Sequence, residues 1–127
     1  MPKPKPILVV DDDEGFRETL RVVLEREGYE VVCASDGQSA LNLILIDGLV
    51  FKMIFLDLYM PLKDGWQFAY AVTKYGSKFQ RKIPIVITSG KADLSEQETK
   101  KSFAGLLRKP FKIEKLIATC KQFESLD

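Results

Sequence analysis

The chain has 127 residues, of which 46% are hydrophobic, and its formal net charge at pH 7 is +1. This length suits one domain with a single core, and the balanced charge gives no argument for a nucleic-acid surface or a basic membrane patch. Histidine is absent, which excludes Ser-His-Asp triads, histidine acid–base catalysis and histidine-ligated zinc. The longest apolar runs hold about half a dozen residues, far short of the roughly 18 that a membrane-spanning helix needs.

The N-terminal segment and the two cysteines indicate a simple cytoplasmic domain. After Met1, residues 2–6 alternate proline and lysine without the hydrophobic stretch of a signal peptide, so we expect a disordered lead-in over 1–6 followed by one domain over 7–127. Cys33 and Cys120 lack the CxxC spacing of metal or redox sites. We expect both to be buried reduced thiols, which suits a cytoplasmic location.

The first half of the chain alternates between strand-like and helix-like patterns. The apolar run over 7–10 is typical of a strand buried on both faces. A first helix is predicted to end at Gly28, a second strand covers 31–33, and a second helix runs from a cap at Asp36 to Gly48. The apolar stripes of the two helices are Phe16, Leu20, Val23 and Leu24 in the first, and Leu41, Ile44 and Leu45 in the second.

The second half continues the alternation. Strands are predicted over 51–56, 85–87 and 106–107, and helices over 65–75 and along the stripe of Ile113, Leu116, Ile117, Cys120 and Phe123. A capping box at Ser95 predicts a further helix, which we expect to be short because Leu94 is the one large apolar residue over 92–102. This alternation predicts a parallel sheet between helices, a flavodoxin-like doubly wound (βα)5 sandwich with strand order 2-1-3-4-5.

Charged residues follow three of the predicted strands. Asp11 and Asp12 come after the first strand, Asp57 after the third and Lys109 after the fifth. In an open parallel sheet these positions converge on the carboxyl edge, where α/β folds bind their ligands. Crowded carboxylates repel one another unless a positive charge relieves them, and Mg²⁺ prefers such oxygen ligands. The pattern predicts a magnesium site equipped for phosphoryl transfer, with Asp57 as the nucleophile.

Four short motifs then carry a resemblance to a known family. They are Asp11-Asp12, the block from Asp57-Leu58-Tyr59-Met60-Pro61 to Asp64-Gly65, Ser89-Gly90, and Lys109-Pro110-Phe111. In this order and at these intervals, the chain resembles the receiver domain of response regulators in two-component signal transduction, the CheY-like superfamily. The resemblance covers residues 7–125.

The resemblance implies a phosphoacceptor in a phosphorelay. Asp57 would accept a phosphoryl group from a sensor histidine kinase or a histidine phosphotransfer protein. The implied Mg²⁺ ligands are Asp12, Asp57 and the backbone carbonyl of Tyr59, with Asp11 acting through water. Ser89 and Lys109 would contact phosphoryl oxygens, and the Lys109–Pro110 peptide bond would be cis. The expected chemistry is Mg²⁺-dependent self-phosphorylation and self-dephosphorylation, without turnover as an enzyme.

The resemblance also implies an output surface around the fourth helix, the fifth strand and the last helix. The expected partner there is an output domain or a downstream protein, without direct nucleic-acid or membrane contact. The domain is expected to be a monomer or a dimer that forms on phosphorylation. Leu106 stands where the family usually carries an aromatic ring, so we expect signalling through order and disorder over 90–104, not through a rotating ring.

Several alternatives stay open at this point. Asp12 and Asp13 are also good helix caps, Asp11 suits a solvated loop, and Lys109 suits a surface position before a turn. Thr88 competes with Ser89, which is preferred because it lies five residues after Pro84 and because Thr88 should point to the other face. Asp13 and Asp64 are expected to be structural, and Met60 and Trp66 to be packing residues.

Two other functional classes fit the same fold. A haloacid-dehalogenase-like phosphatase needs a second aspartate two residues after its nucleophile, where this chain has Tyr59. A flavodoxin-like nucleotide carrier needs hydroxyls and amides after the first strand, where the acidic run 11–14 would repel phosphate. Within the response-regulator class, a stand-alone regulator and the receiver part of a longer protein both remain possible.

Overall fold

The computed structural model describes residues 4–60, 65–75, 83–90 and 103–124, which form five strands and four helices. The strands are β1 Ile7–Val10, β2 Val31–Ala34, β3 Met53–Leu56, β4 Ile85–Ser89 and β5 Gly105–Arg108. The helices are α1 Glu14–Arg26, α2 Gly37–Leu45, α3 Gly65–Tyr75 and, at the C-terminal end, α4 Ile113–Glu124. Within these residues, no helix is both long and apolar enough to span a membrane.

The five strands form one parallel sheet in the order β2-β1-β3-β4-β5, which confirms the predicted flavodoxin-like topology. The register pairs Ile7 with Val31 on one side and with Met53 on the other. Because β1 lies between β2 and β3, the residues that follow Val10 and Leu56 emerge side by side at the carboxyl edge. All residues of β1, β3 and β4 are buried, as expected of strands covered on both faces.

Alternate residues of the strands pack into two separate cores. One core lies against α2 and α3 and contains Leu8, Val10, Ile54, Leu56, Ile85, Ile87, Leu41, Ile44, Phe68 and Val72. The other lies against α1 and α4 and contains Ile7, Val9, Met53, Phe55, Val86, Leu107, Leu20, Leu24, Leu116, Cys120 and Phe123. The sheet is therefore the middle layer of a three-layer sandwich, and its carboxyl edge stays accessible.

Both ends of α1 and the start of α2 agree with the capping signals in the sequence. The Asp13 carboxylate accepts a hydrogen bond from the Phe16 N–H at 3.2 Å, and the Asp36 carboxylate accepts one from the Ser39 N–H at 2.7 Å. Gly28 follows α1 with a φ of 90°, a conformation that glycine adopts without steric cost. The first turn of α1 is thus fixed directly after the acidic residues 11–13.

Several sequence predictions about packing and bounds need correction. The second helix ends at Leu45 and not at Gly48, and β2, β4 and β5 each extend beyond the predicted residues. β3 begins at Met53 and not at residue 51, because Met53 pairs with Ile7, the first residue of β1, and the two preceding residues lie beyond it. Leu45 and Ile113 are 40% and 53% exposed, so they lie at the margins of their helices' apolar faces. Cys33 is only partly buried because β2 is an edge strand, whereas Cys120 is fully buried as expected.

Some predictions fall on residues outside those that the structure describes. They are the helix with its capping box at Ser95, most of the segment 90–104, Pro61 and Asp64. At the N-terminal end, the Pro6 carbonyl accepts a hydrogen bond from the Lys52 N–H at 2.8 Å, so residue 6 already contacts the domain. Met60 is buried as a packing residue, and Trp66, 46% exposed, packs on Phe103 with ring centroids 5.7 Å apart.

Candidate phosphoacceptor and metal site

The backbone at the ends of β1 and β3 holds two aspartates next to each other. The Asp57 N–H donates a hydrogen bond to the Val10 carbonyl at 3.0 Å, and the Asp11 N–H donates one to the Ala34 carbonyl at 3.2 Å. The ladder therefore continues for one residue past each strand. Asp11 and Asp57 keep the strand alternation of Val9 and Phe55, which places both on the side of the sheet that faces α1 and α4.

Asp11 is a buried, fully engaged carboxylate and not a solvated loop residue. Its side chain is 1% exposed, and its Oδ2 lies 2.6 Å from the ammonium of Lys109. Its Oδ1 accepts a hydrogen bond from the Asp13 N–H at 2.9 Å, while its carbonyl accepts one from Arg17 at 2.7 Å. Both carboxylate oxygens thus have protein donors, as a buried charge requires.

Asp57 lies partly buried beside these groups. Its Oδ2 is 3.8 Å from the Lys109 ammonium, and its Oδ1 accepts a hydrogen bond from the Tyr59 N–H at 3.1 Å. Burial raises the pKa of the Asp57 carboxyl, and the neighbouring charges of Asp11 and Asp12 raise it further, although the Tyr59 N–H and Lys109 act in the opposite direction. Negative charge at this position is therefore costly without a further cation.

Three of the four predicted metal ligands form one group. Carboxylate oxygens of Asp11, Asp12 and Asp57 all lie within 4.8 Å of one another, with Asp12 exposed. Oxygen donors of this kind suit a hard divalent cation that keeps several waters, and such a cation would offset the burial and the like charges that raise the pKa of Asp57. The residues present therefore fit Mg²⁺. Tyr59, the fourth predicted ligand, follows Asp57 by two residues at the same edge and is exposed.

Lys109 reaches the carboxylates from the end of β5. Its N–H donates a hydrogen bond to the Ser89 carbonyl at 2.7 Å, and the following Lys109–Pro110 peptide bond is cis, as the resemblance implied. The side chain is 25% exposed, so the interpretation as an ordinary surface lysine is wrong. Its ammonium lies 4.1 Å from the centroid of the Phe16 ring, a contact that the sequence reasoning missed.

The two hydroxyl residues at the end of β4 are both buried, Thr88 at 1% and Ser89 at 2% exposure. The alternation of β4 gives Thr88 the face of Val86, toward α1 and α4, and gives Ser89 the face of Ile87. The two side chains therefore lie on opposite faces, as predicted, but by this alternation it is Thr88, and not Ser89, that shares the face of Asp11 and Asp57. Among the described residues, the Thr88 hydroxyl has no hydrogen-bond partner.

Gly65, the first residue of α3, lies against the main chain of Asp57 and Leu58. Its N–H donates a hydrogen bond to the Leu58 carbonyl at 3.0 Å. A Cβ atom at this position would overlap the Asp57 carbonyl oxygen and the Leu58 Cα atom. The close approach of α3 to the end of β3 thus requires glycine, which gives a physical reason for its place in the motif after Asp57.

An apolar groove adjoins the site on the side of α1 and α4. It has a volume of about 640 Å³, and its lining includes Phe16, Leu20, Phe111, Ile113 and Leu116, with Lys109 and Asp13 at the site. The groove makes the surface beside the carboxylates apolar, in contrast to the acidic edge itself.

Comparison with known proteins decides the family. The family model described as Response regulator receiver domain matches residues 7–121. The chain belongs to the response regulator receiver domain family. This receiver domain is 37% identical over 122 residues to the response regulator MprA of Mycolicibacterium vanbaalenii, a match that covers 91% of this chain and 48% of the relative. It spans about half the length of the curated relatives it matches.

Solved structures agree with this family and fold. The chemotaxis protein CheY4 of Vibrio cholerae is 31% identical, with a TM-score of 0.81 and coverage of 95% of this chain and 99% of that one. The response regulator protein TrrA of Thermotoga maritima, solved in complex with Mg²⁺-BeF, is 26% identical, with a TM-score of 0.79 and coverage of 94% and 99%. Of the three classes considered from sequence, the receiver domain of a two-component response regulator is the one supported.

Proposed function

We propose that this receiver domain takes a phosphoryl group onto Asp57 from a phosphohistidine, with Mg²⁺ bound at the carboxyl edge. The donor would be a sensor histidine kinase or a histidine phosphotransfer protein. The observation that carries the proposal is the grouping of Asp11, Asp12 and Asp57 within 4.8 Å, with the Lys109 ammonium 2.6 Å from Asp11 and 3.8 Å from Asp57. A relative solved with Mg²⁺-BeF supports it.

The transfer needs one nucleophile and positive charge around the phosphoryl oxygens. An oxygen of Asp57 forms a bond to phosphorus, while the bond between phosphorus and the donor's imidazole nitrogen breaks and its electron pair stays on that nitrogen. Lys109, which is 3.8 Å from Asp57, is close enough to pair with a phosphoryl oxygen on that residue. Ser89, at the end of the neighbouring strand β4, would donate a hydrogen bond to another oxygen.

The described contacts suggest different roles for the aspartates in binding Mg²⁺. Asp11 already accepts hydrogen bonds on both carboxylate oxygens, so we assign it an indirect role through water. Direct ligation would fall to Asp12, Asp57 and the Tyr59 carbonyl. When bound, Mg²⁺ would neutralise charge on the carboxylates and on the phosphoryl oxygens.

The output would arise from the strands next to Ser89. Leu106 pairs with Ile87 on β4 and packs, together with Phe103, against the core under α2 and α3. We propose that phosphorylation changes the surface around β5 and α4 through these contacts, to be read by an output domain or a downstream protein. The domain would act as a monomer or a phosphorylation-dependent dimer, without direct contact to nucleic acid, in the cytoplasm, where the two unpaired cysteines stay reduced.

We further propose that this domain is a signalling module and not a turnover enzyme. Its own chemistry would be limited to self-phosphorylation and self-dephosphorylation at Asp57. Tyr59 occupies the position where the phosphatases considered above need an acid–base aspartate.

The test is labelling by phosphoramidate, a donor with the same phosphorus–nitrogen bond as phosphohistidine. The wild-type protein should gain one phosphoryl group by intact mass in the presence of Mg²⁺ and none with excess EDTA. Asp57→Asn should gain none under either condition. Asp47→Asn, which alters an exposed aspartate after α2, is the matched control and should be labelled like the wild type. Equal labelling of Asp57→Asn, or labelling that ignores Mg²⁺, would contradict the proposal.

A further inference from the structure

The Lys109 ammonium must be restrained near the carboxylates if it is to bind a phosphoryl oxygen. Lysine carries its charge on a flexible stem with many rotamers, so a lysine in a site needs contacts that fix it. The Asp11 carboxylate at 2.6 Å is one such contact. However, a hydrogen bond to Asp11 also competes with any phosphoryl oxygen that Lys109 must bind. A second contact that restrains the ammonium without accepting a strong hydrogen bond would resolve this conflict.

The Phe16 ring supplies a contact of that kind. Its centroid lies 4.1 Å from the Lys109 Nζ atom, well inside the distance of about 6 Å at which a ring face attracts a cation. The attraction is electrostatic and leaves the ammonium N–H groups available to oxygen acceptors. Phe16 also lines the apolar groove, together with Lys109.

The position of the ring is itself fixed from two directions. The Phe16 N–H donates to the Asp13 carboxylate at the start of α1, which sets the backbone of the first turn. The Phe111 ring packs on the Phe16 ring edge to face, with centroids 6.0 Å apart and planes at 85°. Phe111 follows Lys109 by two residues, so the end of β5 holds both the lysine and the ring that supports its aromatic neighbour.

We propose that Phe16 is a positioning residue that holds the Lys109 ammonium at the carboxyl edge, ready for the phosphoryl oxygens, through a cation–π contact. The inference rests on the proposed phosphoacceptor function. The inference gives Phe16 a role in phosphorylation, whereas the sequence indicates only that Phe16 lies on the apolar face of the first helix. It predicts that aromatic character at position 16, and not size or burial alone, sets the rate of phosphorylation.

The test compares initial rates of phosphoramidate labelling at saturating Mg²⁺. Phe16→Leu and Phe16→Met should both be slower than the wild type by about three- to tenfold, the range expected for loss of a partly buried cation–π contact. Phe16→Tyr should stay within about twofold, because tyrosine keeps the ring face. Phe123→Leu is the matched control, since it makes the same change in the same core on α4, and its rate should be unchanged.

A second measurement does not depend on phosphorylation. A ring face so close to Nζ should shift the Lys109 Hε proton resonances upfield through its ring current. The shift should disappear in Phe16→Leu and in Phe16→Met and persist in Phe16→Tyr and Phe123→Leu. Wild-type rates in both non-aromatic variants, or Lys109 resonances that do not respond to them, would overturn the inference. Should the wild type fail to be labelled at all, the proposed function fails, and the resonances alone decide whether Phe16 holds Lys109.

Discussion

Asp57 combines two demands that conflict in the metal-free protein. A nucleophile must be ionised, yet burial and the charges of Asp11 and Asp12 raise its pKa. The positive charge of Lys109 favours ionised Asp57 only in part, because the ammonium lies closer to the Asp11 carboxylate than to the Asp57 carboxylate. A site with this arrangement favours the arrival of a further cation and thereby links metal binding to readiness for phosphoryl transfer.

This conflict predicts the pH dependence of stability. Because the folded-state pKa of Asp57 is raised above its unfolded value, ionised Asp57 destabilises the folded protein, and the penalty is relieved as the pH falls through the folded pKa. This is opposite to the usual behaviour of an acidic residue. Asp57→Asn should therefore unfold at higher urea concentration than the wild type at pH 7.5 without Mg²⁺, and the difference should narrow toward mildly acidic pH.

The control for this effect is Asp47→Asn, which removes an exposed carboxylate away from the site. It should change the urea midpoint little at any of these pH values, since surface charges contribute little to stability. An Asp57→Asn midpoint at or below that of the wild type at pH 7.5 would show that the Asp57 charge is not a burden in the folded state.

Gly65 allows a second prediction about a single position. A Cβ atom there would overlap main-chain atoms of Asp57 and Leu58, which have little freedom to move. Gly65→Ala should lower the free energy of unfolding by about 3 kcal/mol, at the upper end of the usual range for overpacking. In Gly105→Ala the new methyl meets Val86 only at 3.9 Å, so urea unfolding should show a much smaller change. Equal effects of the two variants would refute the close approach.

The contribution of a helix cap to stability can be measured without changing the site, because the cap of α2 lies away from it whereas the cap of α1 lies next to it. Asp13, the cap of α1, also donates its N–H to Asp11 and lines the groove. Asp36 caps α2, on the opposite face of the sheet from Lys109 and α1. Asp36→Ala should cost about 1 kcal/mol of unfolding free energy, the usual value of an N-cap.

The cap prediction is checked by urea unfolding together with phosphoramidate labelling. Asp36→Ser keeps a side-chain oxygen at the cap and should recover most of the lost stability. Both variants should be labelled at the wild-type rate, because α2 contributes no residue to the site. A stability loss that serine does not recover would mean that Asp36 acts otherwise than as a cap.

The elements differ in how well the sequence predicts them, and the reasons are physical. Continuous apolar runs and capping residues are local signals, so β1 and α3 have the predicted bounds. The start of β3 depends on where β1 begins, which is a property of the register and not of residues 51 and 52. Likewise, burial of Cys33 depends on β2 lying at the edge of the sheet, which its own apolar neighbours do not indicate.

The same distinction holds for the site. The meeting of Asp11, Asp57 and Lys109 follows from strand order alone, so it was predictable once five parallel strands had been inferred. Which partner each side chain has was not predictable. The preference of Lys109 for Asp11, and the contact of Phe16 with Lys109, depend on the packing of α1 against the end of β5. A helical stripe shows that Phe16 is apolar but not what it touches.

At the scale of the whole molecule, the two thiols of the sandwich become accessible to solvent through different opening motions. Cys120 is fully buried in the core between the sheet and α4, and burial, followed by the charge of Glu124, raises the pKa of its thiol to about 12. Reaction of Cys120 therefore requires that α4 leave the sheet, which would expose most of that core. Cys33, partly exposed on the edge strand β2, needs only a local opening.

Thiol labelling with Ellman's reagent should separate these two routes. Cys120, measured in Cys33→Ser, should react at least about a thousandfold more slowly than Cys33 measured in Cys120→Ala, given a global stability of about 5 kcal/mol. Its rate should rise with urea as steeply as global unfolding does, because the buried thiol reacts only after α4 has left the sheet. Comparable native rates for the two thiols would mean that α4 detaches on its own, and that the sandwich does not unfold as one cooperative unit.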